Sequence, residues 1–308
     1  MTGDLGHPYN PGTVPHNSTH HHHSIFVGID SDGCAFDTME IKHRRCFAPE
    51  YVGWFGLEAY SGPAEETWHF VNLYSATRGI NRYTALAKTL RLLPTHPGMA
   101  DAPAPPALPA FFQWVDTANA LSAESLTHEI ERVAPSSQDR RDLEMVRSWS
   151  HAVDRSFDEI VAEVEPFTGV AEALQQLSGS ADVAVISHAP TPVLRRQWAL
   201  HDLNRWVGEI NGQESGKKSD HLMRARDTGG YAPDQTLMIG DAPGDYAAAR
   251  AVDAWFYPVL PGEEGDSWEY FRSEAWPRFF RGGGDADYQN HLLRRFYDRL
   301  PAVPAWNQ

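Results

Sequence analysis

The sequence predicts an α/β fold built on a doubly wound, parallel sheet, and three short runs carry that prediction. Ile25-Phe26-Val27-Gly28-Ile29 stops at Asp30, Val183-Ala184-Val185-Ile186 stops at Ser187, and Leu237-Met238-Ile239-Gly240 stops at Asp241. Runs this short with no polar position suit strands covered on both faces. Helical patterns separate them. Val170–Leu177 precedes the second run and Val193–Leu203 follows it, while Asp220–Arg226 and Asp245–Ala251 flank the third. Strands alternating with helices over short links imply right-handed crossovers within one sheet.

Residues 41–165 break this alternation, because the stretch is far too long for one crossover helix. It is rich in helix formers and aromatics and holds a Pro/Ala-rich loop from Pro94 to Pro109. The expectation is a mostly helical insertion with its own small core, leaving 25–40 and 166–308 to the α/β unit. Beyond residue 262, Tyr288, Leu292, Leu293, Phe296 and Leu300 fall at helical spacing, which predicts an amphipathic helix packed back on that unit. Residues 1–24, with the His20–His23 run, read as a flexible lead; such a tract can bind zinc or nickel, or be a low-complexity tail.

Composition narrows the classes. The 308 residues carry a formal charge of −15, which argues against nucleic acid or an anionic membrane as a broad partner. A hydrophobic share of 42% excludes a wholly disordered chain. No apolar run approaches the roughly 20 residues of a membrane span, and Met1–Ser24 shows no signal peptide. Cys34 and Cys46, the two cysteines, make no disulfide framework, so the expected home is a reducing cytoplasm.

Open α/β sheets bind ligands outside the carboxyl ends of their strands. The first strand delivers Asp30-Ser31-Asp32-Gly33, the second Ser187, and the third Gly240-Asp241-Ala242-Pro243-Gly244-Asp245. Gly216-Lys217-Lys218-Ser219-Asp220 places a cation just ahead of a helix. Four acids converging in one crevice repel each other unless a cation sits among them. A hard divalent ion with oxygen ligands fits, and Mg²⁺ takes a few carboxylates plus water and substrate phosphate. A lysine and a serine hydroxyl at the same point would hold the remaining phosphoryl oxygens. One aspartate can then attack phosphorus while its neighbour protonates the leaving group.

The order of these motifs, and the strand ends that carry them, resembles the haloacid dehalogenase-like (HAD) superfamily in its phosphatase branch, phosphoglycolate phosphatase-like members included. The resemblance covers roughly residues 25–40 and 166–260 and implies a Rossmann-like core. It implies that Asp30 is the nucleophile and a Mg²⁺ ligand. Asp32 would be general acid and then base, with its main-chain carbonyl on the metal. Ser187 would hydrogen-bond a phosphoryl oxygen, Asp241 ligate the metal, and Asp245 support it. Lys218, or Lys217 as the alternative, would neutralise nucleophile and phosphoryl group; Lys218 is preferred because Ser219-Asp220-His221-Leu222 then opens the helix. Dehalogenase members lack the acid two residues on, so Asp32 favours phosphoryl transfer. Cys34 stands where the family usually has Thr or Val and reads as a packing variant.

An insertion directly after the first motif corresponds to the family's C1 position, where helical caps close over the site. Its most loaded stretch is Glu66–Tyr83. If helical there, Arg78 and Arg82 share a face and can clamp a phosphate or carboxylate, with Asn81 nearby; alternatively they pair with acids of the insertion. Trp68, Phe70 and Leu73 read as core of the insertion, and His188 either touches substrate or fills the strand end. The expected function is a Mg²⁺-dependent phosphatase acting on a small phosphorylated metabolite, with oligomeric state left open. Alternatives are a phosphomutase, a phosphonate hydrolase using Lys42 or Lys88 as a Schiff-base lysine, and a binding module that keeps the fold without catalysis.

Overall fold

The computed structural model describes residues 23–160, 164–282 and 285–307. The reading of 1–24 as a lead therefore lies almost wholly outside the described residues. Five strands form one parallel sheet: β1 (Phe26–Ile29), β2 (Asp182–Ile186), β3 (Glu209–Asn211), β4 (Thr236–Gly240) and β5 (Trp255–Pro258), in the spatial order β3-β2-β1-β4-β5. Alternate side chains enter two separate apolar layers. Val27, Ile29, Val185 and Ile239 join one; Phe26, Ile186, Met238 and Phe256 join the other. This is why the strands read as continuous apolar runs, with no polar face to water.

Helices fill the long gap between β1 and β2. α1 (Thr38–Lys42) continues through a π-helical turn, His43–Phe47, into α2 (Ala48–Trp54). Then come α3 (Ser61–Asn72), α4 (Arg82–Leu92), α5 (Pro109–Thr117), α6 (Ala123–Arg132) and α7 (Gln138–Ile160). Local signals set their ends. Pro109 opens α5, where a missing N–H costs nothing, and Ser122 caps α6 by accepting the Ser125 N–H at 3.1 Å. Trp68, Trp149, Tyr51, Phe111 and Leu143 bury into an apolar cluster distinct from those on the sheet. Each such side chain contributes roughly 1.5–3 kcal/mol on burial, so this cluster sustains the insertion on its own side.

The remaining helices cover the sheet. α8 (Val170–Ser178) and α9 (Thr191–Leu200) lie on one face, α10 (Lys218–Gly229) and α11 (Pro243–Arg250) on the other. α12 (Glu264–Tyr270), α13 (Trp276–Phe280) and α14 (Ala286–Asp298) follow β5. α14 is the expected amphipathic helix; it buries Leu292 and Phe296, the latter edge-on to Phe256 at 5.7 Å. Past α14 the chain reaches the insertion, where Trp306 meets Phe70 and His96 at 5.6 and 4.8 Å between ring centres. The sequence patterns missed β3 and β5. Among the described residues no helix is long and apolar enough to cross a membrane.

Candidate active site

The carboxyl ends of β1, β2 and β4 open into a cavity of about 500 Å³, roofed by α1, α7 and the start of α4. Asp30 continues the sheet for one residue, its N–H donating to Ile239 O at 2.9 Å. The chain then turns sharply: the amides of Ala35 and Phe36 both donate to Ser31 O, and Gly33 takes φ +79°. A side chain at position 33 would place Cβ 2.5 Å from Asp241 Oδ2 and 2.7 Å from Arg78 Nη2, so only glycine fits this turn.

Asp241 follows the end of β4, and Asp245 folds back from the first turn of α11 so that its Oδ2 accepts the Ala242 N–H at 3.0 Å. Lys218, the first residue of α10, is buried between the other acids, with Nζ 2.7 Å from Asp30 Oδ2 and 2.6 Å from Asp245 Oδ1. Lys217 precedes the helix and is exposed, its own N–H donating to Asp220 Oδ2 at 3.2 Å. The two neighbouring lysines thus separate by one helical step. Ser187 is buried at the end of β2; its Oγ accepts the Ala189 N–H at 3.2 Å, leaving its own hydroxyl proton free to donate into the cavity.

One oxygen each from Asp30, Asp241 and Asp245 lie within 4.8 Å of one another, all buried. Burial pushes the Asp30 carboxyl up to about 8, with Asp245 and Asp241 adding to the rise and Lys218 opposing it. Burial also lifts Asp241 to about 6, against the pull of Arg78. For Lys218, burial disfavours the charge, but Asp245 and Asp30 outweigh it and hold the ammonium well above its ordinary value. Asp241 Oδ1 is buried and has no hydrogen-bond partner among the described residues. An orphan carboxylate oxygen on a residue that belongs to such a trio of hard donors fits a divalent cation.

Asp32 sits apart from that trio, on the cavity wall. Thr38 Oγ1 donates to its Oδ1 at 2.6 Å and Lys42 Nζ to its Oδ2 at 2.5 Å. Burial works against its charge, yet Lys42 and Thr38 together hold its carboxyl below the usual carboxylate range. Thr38 and Lys42 lie four apart on α1 and so share a face. Thr38 was not singled out from the sequence, and Lys42 only as a Schiff-base candidate; Lys88, the other, is exposed on α4 and does not line the cavity.

The expected Arg78–Arg82 helical face does not form. Gly79 takes φ +75° and Asn81 caps a new helix by accepting the Tyr83 N–H at 2.9 Å, so Arg78 lies in a turn and Arg82 begins α4. Arg82 lines the cavity and pairs with Asp154 at 2.7 Å. Asn81 spends its side chain on the cap and on Leu121 O, away from the cavity lining. Arg78 is 3% exposed and donates from Nε to Asp241 Oδ2 at 2.7 Å, a pair 163 residues apart that no local pattern announces. His188 lines the cavity, and burial keeps its imidazole below its ordinary pKa. Cys34 is fully buried, and burial pushes its thiol well up, as a packing residue requires.

His43, also on the cavity wall, accepts the Trp68 indole N–H at Nδ1 (3.0 Å) and stacks on Phe47. Burial first, then Lys42 and Arg78, hold its imidazole well below its ordinary pKa, so the folded chain keeps it neutral. The unfolded chain takes up that proton below about pH 6.5, so stability falls as pH drops through that value. Between pH 7.5 and 5.5 the wild type should lose about 1.4 kcal/mol more than His43→Gln, read by urea unfolding at both pH values. Equal losses would show that His43 is not held neutral.

No curated protein matches the chain. Among solved structures, a HAD-superfamily hydrolase from Geobacter sulfurreducens is 18% identical, with 80% of this chain and 90% of that chain covered at a TM-score of 0.42. A haloacid dehalogenase-like hydrolase from Xanthomonas campestris is 13% identical, with 86% and 97% covered and a TM-score of 0.46. One from Streptococcus pneumoniae is 16% identical, with 80% and 90% covered and a TM-score of 0.41. Residues 115–258 match the family of haloacid dehalogenase-like hydrolases. The matched span holds Ser187, Lys218, Asp241 and Asp245 and leaves out β1, whose Asp30 nonetheless meets Lys218 in the fold. The chain is thus similar to haloacid dehalogenase-like hydrolases over residues 115–258, and the fold gathers the four motifs at one end of the sheet.

Proposed function

We propose that the chain is a Mg²⁺-dependent phosphatase that hydrolyses a small-molecule phosphate monoester through an aspartyl-phosphate. The single observation that carries this reading is the buried trio Asp30, Asp241 and Asp245, with Lys218 between two of them and Ser187 on the same cavity. Asp30, Asp241 and Asp245 would hold the cation, together with the Asp32 carbonyl that the family resemblance assigns. When bound, the ion supplies positive charge against the phosphoryl oxygens. Lys218 adds a fixed charge on the same side, and the Ser187 hydroxyl donates to a phosphoryl oxygen.

In the first step an Asp30 oxygen bonds to phosphorus as the ester P–O bond breaks. The leaving oxygen takes its proton from the hydrogen-bonded Asp32–Lys42 pair. In the second step Asp32 accepts a proton from water, the water oxygen bonds to phosphorus, and the bond to Asp30 breaks to release inorganic phosphate. The helical insertion, over 41–165, would act as the cap, with Lys42, Phe47, Arg82 and Phe157 choosing the leaving group and excluding water. The two buried, free cysteines fit a reducing cytoplasm.

The test is para-nitrophenyl phosphate with Mg²⁺, then with excess EDTA. Release of nitrophenol that EDTA stops supports the reading; no metal-dependent release from pure protein overturns it in favour of a binding module. A phosphonate hydrolase is served less well. Lys42 reaches the cavity, but it is ion-paired with Asp32, and an amine must be neutral to form a Schiff base.

A further inference from the structure

Arg78 is used by none of the steps above, yet it is the buried cation on Asp241. It belongs to the turn Leu73–Asn81 that joins α3 to α4, and its Nη1 also donates to Leu73 O at 3.0 Å. The turn is tied to itself: Thr77 Oγ1 and Ser75 Oγ both donate to Val71 O, and the Arg78 N–H donates to Ser75 O. The next residue, Gly79, backs onto Ala242 so closely that a Cβ there would stand 2.9 Å from the alanine Cβ. Two successive residues of the insertion therefore dock on two successive residues of the β4–α11 corner, the corner that presents Asp241 to the cluster. The guanidinium is permanently charged and claims Oδ2, leaving Oδ1 as the oxygen without a partner.

We infer that Arg78 is a positioning residue that fixes which oxygen of Asp241 faces a cation and makes cation binding oppose the seating of the 73–81 turn. This rests on the metal-binding part of the function proposed above. A fixed positive charge on one oxygen of Asp241 repels a divalent ion on the other. Coupling between two equilibria is reciprocal, so the ion must loosen the turn by the factor by which the seated turn weakens the ion.

The experiment is magnesium titration by calorimetry on the full chain, as wild type, Arg78→Gln, Arg78→Lys and Asp241→Asn, paired with hydrogen exchange of peptides over 73–81 with and without magnesium. Arg78→Gln should bind Mg²⁺ about tenfold more tightly than wild type. Arg78→Lys keeps the charge but cannot span Asp241 and Leu73 O. It should bind within about threefold of wild type while exchanging faster over 73–81 even without metal. In wild type, magnesium should speed exchange in the turn; in Arg78→Gln it should not.

A merely structural arginine gives the opposite pattern, with a disordered site and weaker Mg²⁺ binding in Arg78→Gln, and that result overturns the inference. So does a magnesium effect on 73–81 that is the same in wild type and Arg78→Gln. If Arg78→Gln does not fold, unchanged exchange over 73–81 in Arg78→Lys is enough to reject it. Magnesium bound by wild type and lost in Asp241→Asn, with no gain in Arg78→Gln, sinks the role of Arg78 alone. Silence toward magnesium in every variant sinks the metal site and this inference together.

Discussion

Asp30→Asn is expected to lower turnover of para-nitrophenyl phosphate by about 10⁴-fold or more while the chain stays folded. The amide keeps the size of the carboxyl and can still accept the Ser31 N–H that Asp30 Oδ1 accepts at 2.7 Å, and Lys218 keeps Asp245 as a counter-charge, so circular dichroism should barely move. What it loses is the anionic oxygen that forms the covalent bond to phosphorus. A folded Asp30→Asn protein working within tenfold of wild type would remove Asp30 from the nucleophile's role, whatever metal the site holds.

Lys218→Met should have the largest effect on stability. Lys218 is the ammonium within 2.7 Å of both Asp30 and Asp245, and all three groups are buried. Taking away one partner of a buried charge pair leaves its counter-charges unpaired, at a cost of about 3–5 kcal/mol. Urea unfolding in EDTA measures that loss, and added Mg²⁺ should return part of it, because a cation that binds only the folded state stabilises it by mass action. A Lys218→Met protein as stable as wild type in EDTA would mean that the acids tolerate each other without the ammonium.

How much of this was legible beforehand depends on whether the cause was local. β1, β2 and β4 are covered on both faces, so each was visible as an apolar run, and the residue ending each run lines the cavity. β3 is three residues, Glu209–Asn211, on the sheet edge and partly exposed, with no apolar pattern to see. β5 is Trp-Phe-Tyr-Pro, whose terminal proline reads as a strand breaker although it sits at the other edge, where a missing donor is tolerated. The choice between Lys217 and Lys218 turned on where α10 begins, which Asp220 signals. The condition for a shared Arg78–Arg82 face, helix through both, fails at Gly79, whose positive φ breaks the spacing, while Arg82 takes the alternative of pairing with an acid of the insertion, Asp154. Nothing near Arg78 or Asp241 in the chain points to the other; only the insertion's fold brings them together.

The placement of β1 between β2 and β4 also bears on how the molecule is made. A chain emerging from its N terminus delivers Phe26–Ile29 first, but its hydrogen-bonding neighbours are Asp182–Val185 and Thr236–Ile239. At ribosomal speeds of about 5–20 residues per second, on the order of ten seconds or more pass before either exists. Through that interval a strand apolar on both sides has no ladder to join, which makes it a target for holding chaperones and for aggregation during overproduction. The insertion does not share the wait, since the buried members of its apolar cluster run only from Cys46 to Val153.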